Sequence, residues 1–256
     1  MSDETNHDLG DNTDPSMSSD TVNDLKAMAA INRNITETPK GEAIEYQEDS
    51  TALSNLIEKY PPESQMVIAT RGEGEGGVEV RLCGEGNHEA LSQASENALV
   101  QLEQTLGKPL EEVLPGLRIY FADGVIDGGG LALGKENAII LDTSKNILTL
   151  DQAEAQLVPL DILEPGDWAD LKTDQSTLTA QTTFVHEVGH ILDEKVNGHE
   201  QSAQFRALNL SEAPTKYGSA QPHEDYAESF MYLVNGKPLE NKRRSILLSD
   251  IAKATT

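Results

Sequence analysis

The chain has a single cysteine, Cys83, among its 256 residues. No intrachain disulfide can form and no cluster of thiolate ligands is possible, so Cys83 reads as a small apolar strand residue. Basic residues are scarce: 19 Lys and Arg stand against 44 Asp and Glu, for a formal net charge of -25. That balance argues against binding phosphate backbones or anionic membrane surfaces, both of which need clustered Lys and Arg. It favours solubility and says little about the fold. No window approaches the roughly 20 apolar residues of a membrane span. The first residues, MSDETNHDLGDNTDPSMSSD, hold neither a basic region nor an apolar run, so an ordinary secretory signal is not expected either. The expectation is a soluble, cytoplasmic chain unless a dedicated system exports it.

Residues 1–50 are rich in Asp, Glu, Asn, Ser and Thr and read as a disordered acidic tail. A folded domain is expected over 51–256. It opens with a short helix carrying Leu53, Leu56 and Ile57 on one face, ended by Pro61-Pro62. Residues 66–70 and 78–83 alternate in polarity around a glycine loop and read as a β-hairpin. The loop, 71–77, lacks the Gly-Lys-Ser/Thr ending of a phosphate cradle. Asn87 is a candidate N-cap for a long helix with the stripe Leu91, Ala94, Ala98, Leu99, Leu102 and Leu106, stopped by Gly107 and Pro109. Strands are expected at 117–121 and 137–142. Residues 123–130 between them read as a connecting loop, because their acidic side chains lack the alternation of a calcium loop. Residues 143–176, with Trp168, form a long insertion of the kind that binds or covers something.

The chemistry is carried by His186-Glu187-Val188-Gly189-His190. On a helix, expected over 177–196 with Ser176 or Asp174 as its cap, positions i and i+4 share a face about 6 Å apart along the axis. His186 and His190 can therefore hold one metal ion, while Glu187, about 100° further round, can act on a water at that metal. Apolar residues on most of the circumference mark this helix as buried. A carboxylate between two histidines is costly to bury unpaired, and a metal accounts for all three residues together. A catalytic zinc needs a third protein ligand. A third histidine on the same segment is excluded, since the positions three and six past His190 hold Asp193 and Val196. A glutamate from a second helix is the other solution. Pro222 opens one in which Glu224 and Glu228 share a face: one can ligate zinc while the other takes the free N–H of a ligand histidine. Glu212 is a weaker alternative. His223 is expected to be exposed, as are Asp193, Glu194, the pair Arg243-Arg244, and His199 and Glu200 at the helix end.

Tyr217-Gly218 followed by Glu224-Asp-Tyr-Ala-Glu-Ser-Phe230 resembles the active-site tail of the anthrax lethal factor-like metallopeptidases and the bacterial Pro-Pro endopeptidases. The resemblance covers about 177–233. It implies an α+β, zincin-like fold, in which a small mixed sheet packs on a backing helix and an active-site helix, with a glutamate helix following. It implies Glu224 as the third zinc ligand, Glu228 as the support of a ligand histidine, and Tyr217 facing the metal as an oxyanion donor. The implied activity is that of a zinc metalloendopeptidase of the gluzincin kind, with Zn²⁺ as cofactor, Glu187 as general base and a peptide or protein as substrate. The edge strand, expected near 138–141, would then receive peptide by strand addition. Two alternatives stand beside this: a zinc hydrolase for a non-peptide amide or one regulatory partner, and a binding protein on the same scaffold without chemistry.

Overall fold

The computed structural model describes residues 51–146, 175–198, 203–215 and 217–256. The acidic tail, Trp168 with most of the insertion, and His199 and Glu200 lie outside these. Helix α1 (Thr51–Lys59) leads into strands β1 (Gln65–Arg71) and β2 (Val78–Cys83), which pair antiparallel with an irregularity between Val67 and Ala69. Helix α2 (His88–Leu106) crosses to β3 (Arg118–Ala122), after the short α3 (Leu110–Val113). Strands β2 and β3 are parallel neighbours, and such a pair needs a long crossover connection. The Asn87 side chain accepts a hydrogen bond from the Ala90 N–H at 3.2 Å, and Gly107 closes α2 in the left-handed region at φ 69°. Both ends of this helix fall where its sequence places them.

Strand β4 (Gly130–Leu133) runs antiparallel to β5 (Ala138–Asp142), which lies parallel to β3. The sheet order is β1-β2-β3-β5-β4. This corrects two expectations. The stretch 138–141 is not an edge but an interior strand, paired on both sides; the sheet's edges are β1 and β4, and β4 begins at the last residue of the expected connecting loop. Three glycines precede Leu131, Ala132 and Leu133, so the run is too short to read as a strand until its partners Ile140, Ile139 and Ala138 are seen.

Alternation along β5 splits the core. Ala138 and Ile140 face α1, where Ala52 and Leu56 pack with Cys83, Ala122 and Leu133. Ile57, expected on that face, lies about 100° beyond Leu56 and is 44% exposed. Cys83 is fully buried, and burial pushes its thiol up to about 11, as suits a packing residue. Ile139 and Leu141 face the larger core with Phe121, Leu99, Leu102, Phe184 and Val188. The short α4 (Thr143–Asn146) follows β5 directly; α5 (Gln175–Asn197), α6 (Ala203–Arg206), α7 (Pro222–Val234) and α8 (Asn241–Ala254) complete the described chain. Ser176 lies inside α5 and is not its cap; Asp174 is outside the described residues.

Two supposed surface charges are buried. Arg243 on α8 is fully enclosed and grips Asp225 on α7, with Nε 2.8 Å from Oδ1 and Nη2 2.6 Å from Oδ2. Its Nη2 also donates to the Asn209 carbonyl at 2.9 Å. Asp193 is buried too, accepting from Asn197 Nδ2 at 2.7 Å, while the same amide reaches Asp250 Oδ2 at 3.2 Å. Arg243 is enclosed because Asp225 meets it from another helix, which no single-helix pattern reveals; Asp193 is paired within its own helix by Asn197, whose amide also reaches across to α8. Among the described residues no helix is long and apolar enough to cross a membrane.

Candidate metal centre

Helices α5 and α7 bring the candidate ligands together, and Gly189 sets how closely they pack. A Cβ at Gly189 would lie 3.0 Å from Ala227 Cα and 3.2 Å from Phe230 Cδ1. The glycine in the motif is thus the point of near backbone contact between the two helices. Helix α7 starts with Pro222 in its first turn, where the missing N–H costs nothing. Asp225 anchors that turn to Arg243, and Ser229 Oγ donates to Asp225 Oδ1 at 3.0 Å.

Three ligand atoms face one another. His186 Nε2 and His190 Nε2 are 3.1 Å apart, and Glu224 Oε2 lies 3.2 Å from the first and 3.5 Å from the second. A tetrahedral zinc with ligands at about 2.0–2.1 Å requires neighbouring ligand atoms about 3.3 Å apart. The triangle has that size. Glu224 Oε2 is buried and satisfied by no well-formed hydrogen bond, an arrangement that costs several kcal/mol for a charged oxygen unless a cation sits beside it. The donor set, two imidazoles and one carboxylate, suits zinc. The residues fit a small dication.

The tautomer of His186 follows from its other nitrogen. Nδ1 is 2.7 Å from Glu228 Oε1, and a carboxylate only accepts, so Nδ1 carries the proton and Nε2 offers a lone pair to the centre. Glu228 Oε2 accepts from Thr215 Oγ1 at 2.6 Å, and Thr215 Oγ1 accepts from the Gly218 N–H at 3.0 Å. One chain of hydrogen bonds thus joins the loop bearing Tyr217 to a candidate ligand. A Cβ at Gly218 would press to 3.2 Å on the Glu228 side chain, which is why this position is open.

Electrostatics follow from this enclosure. Burial pushes Glu224 up, but the imidazoles of His186, His190 and His223 more than reverse this and hold it well below the carboxylate range. Burial lowers His186, while Glu224 and Glu228 on its two nitrogens raise it well above its ordinary value in the metal-free protein. Burial holds His190 below its ordinary value. Glu187 is pushed up to about 7 by burial, against the attraction of His186, with Glu224 adding to the rise. Its carboxylate accepts the Ala132 N–H from β4. Gly130 makes room for it: a Cβ there would lie 2.3 Å from Glu187 Oε1. The Tyr217 ring centroid is 5.8 Å from that of His186, and Glu224 and Glu187 lie near its hydroxyl. Burial, with Glu224 and Glu187 nearby, raises that phenol well above its ordinary value, so it keeps its proton.

His186, Glu187, His190, Tyr217, Glu224 and Glu228 therefore converge on one place. Glu212 is exposed and is not among the converging group. His223, expected outside, is buried at 8% exposure with Nε2 3.1 Å from Glu224 Oε1. Sequence reasoning missed it because adjacent helix residues diverge by about 100°. Thr215 and Gly130 were also missed; no periodicity marks a loop threonine or a glycine far upstream. Compared with protein-family models, curated proteins and solved structures, the chain has no significant match.

Proposed function

We propose that the protein is a zinc-dependent metalloendopeptidase of the gluzincin kind, its domain over 51–256 a zincin-like fold. The observation that carries this reading is the triangle of His186 Nε2, His190 Nε2 and the unsatisfied Glu224 Oε2. Held by those three, zinc supplies a Lewis acid that makes water nucleophilic near neutral pH and polarises a scissile carbonyl. Glu187 takes the proton of the attacking water and hands it to the leaving amine. Its carboxyl is buried beside the ligand triangle without belonging to it, as a group that takes up and returns a proton there requires. Glu228 fixes the His186 tautomer and is itself fixed by Thr215. Tyr217, protonated at neutral pH, donates to the oxyanion of the tetrahedral intermediate. The substrate is a peptide or protein chain.

The test has two parts. Purified protein should carry one equivalent of zinc by elemental mass spectrometry, lost in His186→Ala. A proteome-derived peptide library should then show cleavage by the wild type and none by Glu187→Gln. A correctly folded wild type that takes up no zinc overturns the reading.

A further inference from the structure

His223 has no role in the chemistry proposed above, yet it is buried against one of the ligands. We infer that His223 is a positioning residue: its Nε2–H pins one oxygen of Glu224 and leaves the other as a single-oxygen metal ligand. The inference rests on the metal-centre reading of the preceding section.

A glutamate side chain has three rotatable bonds and two equivalent oxygens. Unsupported, it can turn both oxygens to a metal or swing away, and each freedom weakens a defined four-coordinate site. In this protein the two oxygens are made unequal. Oε2 faces the imidazole nitrogens of His186 and His190 at 3.2 and 3.5 Å. Oε1 lies 3.1 Å from His223 Nε2. The His223 ring is itself wedged beside the His190 ring, with centroids 5.6 Å apart and a tilt of 45°. Helix α7 begins with Pro222, so His223 and Glu224 both sit in its first turn, which the Asp225–Arg243 pair holds in place. His186 has Glu228 as its support. His223 is the equivalent support for Glu224. Losses at such supporting positions typically cost 10–100-fold in metal affinity.

The experiment compares wild type, His223→Ala and His223→Gln, the last retaining an N–H donor of similar reach. Zinc affinity is measured by competition with a chromophoric chelator. Coordination is read from the visible absorption of the cobalt(II)-loaded proteins, and metal-free melting temperatures control for folding. The alanine variant should bind zinc about 10–100-fold more weakly, and its cobalt bands should weaken as the glutamate turns both oxygens to the metal. The glutamine variant should recover affinity to within about threefold and restore the cobalt spectrum. Wild-type affinity and spectrum in the alanine variant would overturn the inference. So would a glutamine variant that binds no better than alanine while melting like the wild type. If the alanine chain fails to fold, a glutamine variant far below wild-type affinity overturns it and one near it supports it. A wild type that binds neither zinc nor cobalt defeats the metal-centre reading itself, and this inference with it.

Discussion

Replacing Gly130 by alanine tests the proposed division between metal ligands and general base. The added Cβ would lie 2.3 Å from Glu187 Oε1 and 2.7 Å from its Cδ and Cγ. Carbon contacts are comfortable from about 3.5 Å, so the carboxylate must retreat by about 1 Å. Gly130 is not in the left-handed region, so the substitution brings no backbone strain. The colliding atoms are the far end of a flexible side chain, and relief is cheap for the fold. Losing a glycine also restricts the unfolded chain, worth about 0.4–1 kcal/mol in favour of folding. The melting temperature should therefore change by no more than about 2–4 °C. Glu187 is outside the ligand triangle, so one equivalent of zinc should remain. Catalysis should suffer, because a 1 Å misplacement of a reacting group costs about 100-fold. The assay is kcat/KM on a quenched fluorescent peptide taken from the cleavage profile, with Glu187→Gln as the floor. Wild-type kcat/KM in Gly130→Ala would refute the reasoning. So would loss of zinc, since it would make β4 a support of the ligands rather than of the base.

Two further outcomes follow from burial. In metal-free protein, the Glu187 carboxyl carbon should titrate by NMR with a midpoint near 7, and the midpoint should fall on adding zinc, whose charge favours the carboxylate. Because this folded-state value lies above the unfolded one, the folded metal-free chain holds the extra proton. Its contribution is present below the ordinary carboxylate range and is lost as pH rises toward about 7; a midpoint near 4.5 would contradict the enclosure described. Arg243→Ala strands Asp225 in a dry site and should cost about 3–5 kcal/mol in urea unfolding, whereas a change below 1 kcal/mol would show the pair to be wet.

Elements with a local signal were legible in the sequence. Asn87, the stripe from Leu91 to Leu106 and Gly107 define α2 without help from the rest of the chain. The spacing of His186 and His190 puts both rings on one face of α5, and Pro222 marks the start of α7. What escaped depends on how elements pack against one another rather than on the pattern within any one of them. Strand β4 is a strand only because β5 pairs with it, and that pairing moved the edge away from 138–141. Arg243 carries the residue type of a surface and is buried because Asp225 meets it from α7; Asp193 and His223 are buried beside partners on their own helices, Asn197 and Glu224, with Asp250 and His190 closing on them from other helices. Charge predicts exposure only until a polar partner and a packed neighbouring element enclose it.

The enclosed Arg243–Asp225 pair acquires a further meaning beside the net charge of -25. So acidic a body repels itself, and it gathers dications from dilute solution through its field; dissolved salt weakens both effects over a screening length of about 8–10 Å. Arg243 and Asp225 have no exposed side-chain surface, so their attraction is hardly screened. Rising ionic strength therefore relaxes the body's self-repulsion and weakens its pull on cations, while the clamp beside Glu224 holds unchanged.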